Sequence, residues 1–300
     1  MKKTGKNSLA AIVTGLVCTI IFGIIFAQNA GVFSKKGIVF SPSEFNTSDD
    51  FVKVIDVGQG DSILIYSNEY SLLVDTGISD NANNLCAVLD RCEIDTIDVL
   101  LLTHLDSDHT GGISRVCEIY GISNLILPEL SVESEGLPAA EIAINKVAKS
   151  GGEILMAKQG MNFEIGEFNV TVIGCYTDLK DENSRSVITM AEIDGKKFLL
   201  TGDMSAKTEK EMINDGINFK CDVLKVAHHG SSSSSTDDFL KKAKPRYAAI
   251  SVGAYNSYGH PHNNVLAALN YYGAKTFRTD LSGDITFLVK EGKISVNTSN

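Results

Sequence analysis

Positive charge is in short supply. Lys and Arg number 27 against 37 Asp and Glu, a formal net charge of −10, so a broad basic surface gripping nucleic acid nonspecifically is not supported. Long low-complexity tracts are missing as well. With 43% apolar residues and 26 glycines, the composition excludes a disordered chain and allows a real core. No cysteine pair has C-x-x-C spacing, which argues against a structural zinc knot. Cys86, Cys92, Cys117, Cys175 and Cys221 read as buried small apolar side chains. In an oxidising compartment their odd number would allow at most two disulfides.

What is present begins with Leu9 to Ala27, a largely apolar run without charge, preceded by Lys2, Lys3 and Lys6. Such a run is long enough to span a bilayer, and the lysines favour a cytoplasmic N-terminus. Residues 1–30 therefore read as a signal peptide or membrane anchor, with the length favouring the anchor. That places the rest on the extracellular face of the cytoplasmic membrane, or secreted. Residues 31–50, polar and carrying Pro42, read as a linker, and residues 51–300 as one catalytic domain.

Within that domain, β-rich runs are expected over Phe51–Val57, Ser62–Tyr66 and Tyr70–Val74, separated by the turns GQGD and SNE. Helical spacing over Asn81–Arg91, a short apolar strand over Val99–Thr103 and a helix over Gly112–Tyr120 then set up alternation. Leu125–Leu127, Glu153–Ala157 and Phe168–Ile173 are strands and Ala139–Lys149 a helix, which completes a first half. The second half opens on Ser186–Ile193 and Lys197–Thr201, joined by the hairpin signal Asp194-Gly195. Helices over 206–215, 236–243 and 263–272 alternate with strands over 223–227 and 248–252, and with closing strands near Thr276, Ile285 and Ile294. Two such halves imply two mixed sheets packed face to face with helices outside, an α/β protein.

The chemistry concentrates at strand ends. THLDSDHTGG (103–112) follows an apolar strand and packs His104, Asp106, Asp108 and His109 into six residues. Imidazole and carboxylate at that density are costly to desolvate unless positive charge sits among them, and a metal pair supplies it. LLTGD ends another strand with Asp203, which taken singly also suits a helix N-cap. VLKVAHHGS ends a third with His228 and His229. Since side chains alternate along a strand end, one of those two histidines is expected to face the metals and the other to serve as acid or substrate contact.

The succession VIDVGQGDS, LLVDTG, THLDSDHTGG, LLTGD, DVLKVAHHGS and ISVGAYNSYGHPH resembles the ComEC-type branch of the metallo-β-lactamase superfamily, in stand-alone form, from Phe51 to the C-terminus. The resemblance implies an αββα sandwich with the active site at one edge of the sheets. It implies that His104 and Asp106 bind a first divalent ion, Asp108 and His109 a second, that Asp203 bridges them, and that one histidine of the His228/His229 pair completes the second site, His229 being the expected ligand and His228 the alternative. Asp75 would anchor the metal loop through hydrogen bonds. Asp61 sits near the loop edge, where a plain turn role competes. NSRSV matches the family's N-x-x-S-V element, so Asn183 and Ser186 join Asp108, His228, His260 and Ser231 as candidate catalytic residues. His262 suits a helix start, and Ser231–Ser235 a mobile loop.

The commonest superfamily pattern is H-x-H-x-D-H. Here Asp106 replaces the second histidine and the third-motif histidine is missing, so the first site is richer in oxygen. Zinc is the expected metal and manganese the alternative. The implied function is an exported hydrolase using a metal-bound hydroxide on phosphodiesters, with DNA as a candidate substrate and no protein partner implied. The alternatives are hydrolysis of another small ester or lactone, and a non-catalytic binding module with a degenerate site. β-Lactamase activity ranks low without the third histidine. In full ComEC proteins such a domain accompanies a multi-span channel, which is not read in this chain.

Overall fold

The computed structural model describes residues 49–300. The signal, anchor and most of the linker readings lie outside the described residues. Within them no helix is long and apolar enough to cross a membrane.

In chain order the elements are β1 (Asp50–Val54), β2 (Ile63–Ser67), β3 (Tyr70–Val74), α1 (Ala82–Arg91), β4 (Thr96–Leu101), the single turn α2 (Ser107–Thr110), α3 (Ile113–Ile119), β5 (Gly121–Leu127), α4 (Leu137–Ser150) and β6 (Glu153–Met156). They continue with β7 (Asn162–Ile165), β8 (Phe168–Gly174), β9 (Ile188–Ile193), β10 (Lys196–Leu200), α5 (Ala206–Asn214), β11 (Val223–Lys225), α6 (Asp237–Ala243) and β12 (Tyr247–Ile250). The chain closes with α7 (Asn263–Tyr271), β13 (Lys275–Arg278), α8 (Thr279–Ser282), β14 (Ile285–Lys290) and β15 (Lys293–Thr298). One sheet has the order β15-β14-β1-β2-β3-β4-β5-β6 and the other β13-β12-β11-β10-β9-β8-β7.

Strand periodicity explains the layers. Leu72 and Val74 of β3, and Phe198 and Leu200 of β10, join one apolar cluster between the sheets, together with Phe163, Phe168 and Phe287. Leu199 turns the other way, into a second cluster with Phe219 and Phe239 beneath α5 to α7. Both faces of the central strands are thus apolar, as a sheet covered on both sides requires.

The division into halves needs correction. β7 and β8 lie in the second sheet rather than the first, and β7 went unread because its alternation spans only four residues. β14 and β15 return to the first sheet, where β14 pairs antiparallel with β1, Val52 opposite Phe287. β11 stops at Lys225, two residues short of the expected end, because the chain tightens into a 3-10 turn over Ala227–Gly230. All five domain cysteines are free, so neither possible disulfide forms.

Candidate metal centre

The parallel strands deliver the ligand-bearing residues to one end of the sandwich. After β4 the chain runs through Thr103 and His104 into α2, whose single turn brings Asp108 and His109 inward. From the other sheet, the turn after β10 supplies Asp203 and the turn after β11 supplies His229. Ligand-type atoms of Asp108, His109, Asp203 and His229 all lie within 4.8 Å of one another. His104 stands beside this nest, its ring 4.0 Å from that of His109. Its Nε2 is 3.6 Å from the partly exposed Asp106. The structure therefore gathers the second-site set tightly and leaves the first site thinner.

The hydrogen bonds behind the rings decide which nitrogen faces inward. His229 Nδ1 lies 2.9 Å from the Ser251 carbonyl oxygen, an acceptor only, so Nδ1 carries the proton and Nε2 points at Asp108 (3.2 Å) and Asp203 (3.5 Å). His109 Nδ1 donates to Asp75 Oδ2 at 2.7 Å, which leaves Nε2 at 3.3 Å from Asp203 Oδ1. Asp75 also accepts from the Thr103 amide and hydroxyl. With its proton so committed, the Thr103 oxygen accepts from His104 Nδ1 at 3.0 Å. All three rings thus present Nε2 to the nest, the orientation that acceptors behind a ring impose on metal-binding histidines.

The donor set fits divalent cations. His104 Nε2, His109 Nε2 and Asp203 Oδ1 are buried without a hydrogen-bond partner, and buried acceptors left facing one another are expensive unless a cation lies among them. Without metal, protons take that role. Burial alone would depress His229, yet Asp203, Asp108 and Asp61 outweigh it and push it up to about 10. His109 is raised in the same way, burial being outweighed by Asp203 and Asp75. Burial would raise Asp203 and Asp108, but the neighbouring histidines hold both below the usual carboxylate range.

The paired histidines depart from the strand-end picture. His228 and His229 both have left-handed backbone, φ 49° and 52°, a conformation that non-glycine residues keep only where the surroundings enforce it. His228 sits at the mouth, with Nε2 3.7 Å from Asp203 and Nδ1 3.1 Å from the Ser233 hydroxyl. Burial, aided by His229, lowers its pKa against the pull of Asp203. Burial and the same two histidines bring His260 to about 4; its ring is 5.6 Å from that of His228.

The remaining candidates divide between mouth and frame. Asn183 Nδ2 is 3.5 Å from both ring nitrogens of His228. Ser186 is fully buried, and its hydroxyl accepts from the Asp203 amide, so it holds the turn and is out of a substrate's reach. Ser231 engages Ser233 at 2.9 Å. Within the serine run Ser231, Ser234 and Ser235 are buried and Ser232 and Ser233 exposed, and the buried Glu209 accepts from the Ser235 and Thr236 amides. His262 occupies the N-cap position of α7, where its Nδ1 accepts from the Ser232 amide instead of capping.

Two residues escaped the sequence reading. Lys225 is 1% exposed and its Nζ pairs with Asp61 at 2.7 Å; Asp61 Oδ1 in turn lies 3.4 Å from His229 Nδ1. Asp61 is therefore no plain turn residue. Burial would raise it, but Lys225 and His229 hold it far below the ordinary range. The signal for Lys225 was a lysine inside the apolar strand VLKVA. Glu209 gave none, since a glutamate within an amphipathic helix reads as a solvated face.

With this geometry described, comparison with known proteins decides the family. The model of the Metallo-beta-lactamase superfamily matches residues 55–254. The chain belongs to this superfamily. Its ComEC type is shown by two curated relatives, each 29% identical: ComE operon protein 3 of Bacillus subtilis, aligned over 95% of this chain, and competence protein ComA of Neisseria gonorrhoeae, over 86%. The chain spans only 37% and 35% of those proteins' lengths. Among solved structures, the metallo-beta-lactamase fold protein YhfI of Bacillus subtilis is similar at a TM-score of 0.53 and 14% identity, covering 80% of this chain and 100% of YhfI. The αββα fold expected from the motifs is thus established, and a superfamily of metal-dependent hydrolases is the setting for the nest.

Proposed function

We propose that the chain is a metal-dependent phosphodiesterase, with DNA as its candidate polymeric substrate, acting outside the cytoplasmic membrane. The observation that carries the reading is the convergence of Asp108, His109, Asp203 and His229 within 4.8 Å, with Asp106 and His104 alongside. Divalent cations held there, zinc or manganese, would polarise a phosphoryl oxygen and acidify a water.

The chain's own residues supply the rest. His228 stands at the mouth, and its lowered pKa leaves it neutral near pH 7. An anionic phosphodiester arriving beside it would raise that pKa again, so the ring takes up a proton with the substrate and returns it to the leaving oxygen. Asn183 lies where it can orient the ring. A neutral ester or lactone would give His228 no such help, which ranks phosphodiesters ahead of both. An intact nest argues against a degenerate binding module.

The test is turnover by the purified chain of bis-p-nitrophenyl phosphate, single-stranded DNA and nitrocefin, each with zinc or manganese and with a chelator. Diester cleavage that the chelator abolishes is expected. Turnover of nitrocefin with both diesters untouched would overturn the reading. The external location draws on Leu9–Ala27, Lys2, Lys3 and Lys6; protease added to intact spheroplasts should digest the domain, and protection until lysis would refute it.

A further inference from the structure

The strands that carry the nest run toward it, so their starts lie at the opposite end of the molecule. β10, β11, β12 and β13 are mutually parallel. Lys220 precedes β11, Lys244 and Arg246 precede β12, Lys275 opens β13, and Lys241 and Lys242 end α6. All six are exposed, and none has a carboxylate within ion-pair distance among the described residues. The nearest acids on α6, Asp237 and Asp238, lie a turn back along the helix, toward the site. Tyr271, 81% exposed, ends α7 at the same place. A concentrated cationic face with an exposed tyrosine is unexpected in a chain of net charge −10.

The described chain also enters at this end. β1 runs antiparallel to β2, β2 antiparallel to β3, and β3 parallel to β4, so Asp50 starts at the end away from the nest. Asp50 pairs with Val289. In the turn that follows β14, the Gly292 amide donates to Asp194, and the adjoining Gly195 lines one shallow cavity with Lys197, Lys220 and Asp222; the Asp222 carboxylate accepts from the Lys197 amide and is an acid within this face.

We propose that this lysine face is a docking surface for an anionic lipid bilayer. Two independent features agree. The charge is complementary to anionic headgroups and includes a side chain suited to the interface. The apolar run Leu9–Ala27 leads into the domain at this same end through residues 28–49, which reach at most about 75 Å when extended. Docked so, the domain turns its metal nest away from the bilayer. A nucleic acid on the same face would be separated from the nest by at least the length of β10, about 16 Å at roughly 3.3 Å per residue, which makes the face a poor place for substrate. The assignment stands whether or not the substrate is a phosphodiester.

Amine-reactive footprinting of the full chain reconstituted into vesicles tests it. In vesicles of phosphatidylglycerol and phosphatidylcholine, acetylation of Lys220, Lys241, Lys242 and Lys244 should be at least about threefold slower than in phosphatidylcholine alone. High salt should erase the difference, since exposed charges are screened beyond a Debye length. Lys207, at the start of α5 on the site side, should label equally in both. The variant Lys220→Glu/Lys241→Glu/Lys244→Glu should lose the protection at Lys242. Equal labelling of the four lysines in the two vesicle types overturns the proposal. So does protection by an added single-stranded oligonucleotide on neutral vesicles without protection by anionic lipid, which would make the face a nucleic-acid surface.

Discussion

His228 and His229 are adjacent in sequence, chemically identical and equally left-handed, yet the atoms behind them give them different work. The Ser251 carbonyl locks His229 with Nε2 inward, whereas His228 shares its Nδ1 with a serine hydroxyl that can rotate. His229→Ala is expected to lose metal, as elemental analysis would show. His228→Ala should retain metal and lose about 10²- to 10⁴-fold in turnover of DNA. Bis-p-nitrophenyl phosphate, whose leaving group needs little protonation, should be spared. Full metal in both variants together with undiminished DNA cleavage would refute both assignments. The sequence made the pair conspicuous but could not separate them, because the partner that does so is a backbone carbonyl just past the end of β12. Lys225 shows the converse limit. Its residue type was in plain view, but only the fold brings Asp61, remote in sequence, against it.

At the scale of elements, long periodic segments were legible and short or edge ones were not. β3 matched its expected bounds and α4 was found within two residues of its ends, while β7 was missed and β11 overextended. Strand partners were the weakest part, since nothing local in β14 says that it will return to β1. The nest also depends on how closely elements meet. The GQGD turn lies directly on α2: a Cβ on Gly60 would come within 2.3 Å of the Asp108 carbonyl oxygen, and the Asp61 amide donates to that same oxygen at 3.2 Å. Gly60→Ala must therefore displace the backbone of Asp108, although of any ligand side chain it meets only the Asp108 Cβ, at 3.4 Å. Its zinc affinity should fall about 10- to 100-fold, the range seen when the supports of a metal ligand are disturbed. A competition titration with a chromophoric chelator measures this, and wild-type affinity would show that α2 yields without consequence.

For the whole molecule, the protons standing in for metal make stability depend on pH in a definable direction. His109 and His229 are raised in the folded state above their unfolded value of about 6.5. Their contribution is complete below that pH and is lost as pH rises, through about 10 for His229. Asp61, Asp108 and Asp203 are lowered, so theirs is complete above about pH 4 and lost in more acid solution. His228 and His260 are lowered instead, so their contribution is complete above about pH 6.5 and lost as pH falls, through about 4 for His260. Chelator-treated protein should thus melt highest near pH 6.5 and progressively lower toward pH 9. Zinc-loaded protein should hold its melting temperature across that alkaline range. A chelated protein that becomes more stable from pH 7 to 9 would contradict the proton-for-metal picture.

The ligand set has a consequence for assembly. Asp108 and His109 come from the first sheet, Asp203 and His229 from the second, and the chain crosses between sheets after β6 and again before β14. The first sheet alone carries His104, Asp106, Asp108 and His109, but the compact nest closes only when Asp203 and His229 arrive from the second. If the backbone were cut between β8 and β9, each fragment would bind metal only weakly, and tight binding would return when the two found one another. Metal uptake by this fold is in effect a coincidence detector: it registers only molecules whose separately encoded parts have docked in register.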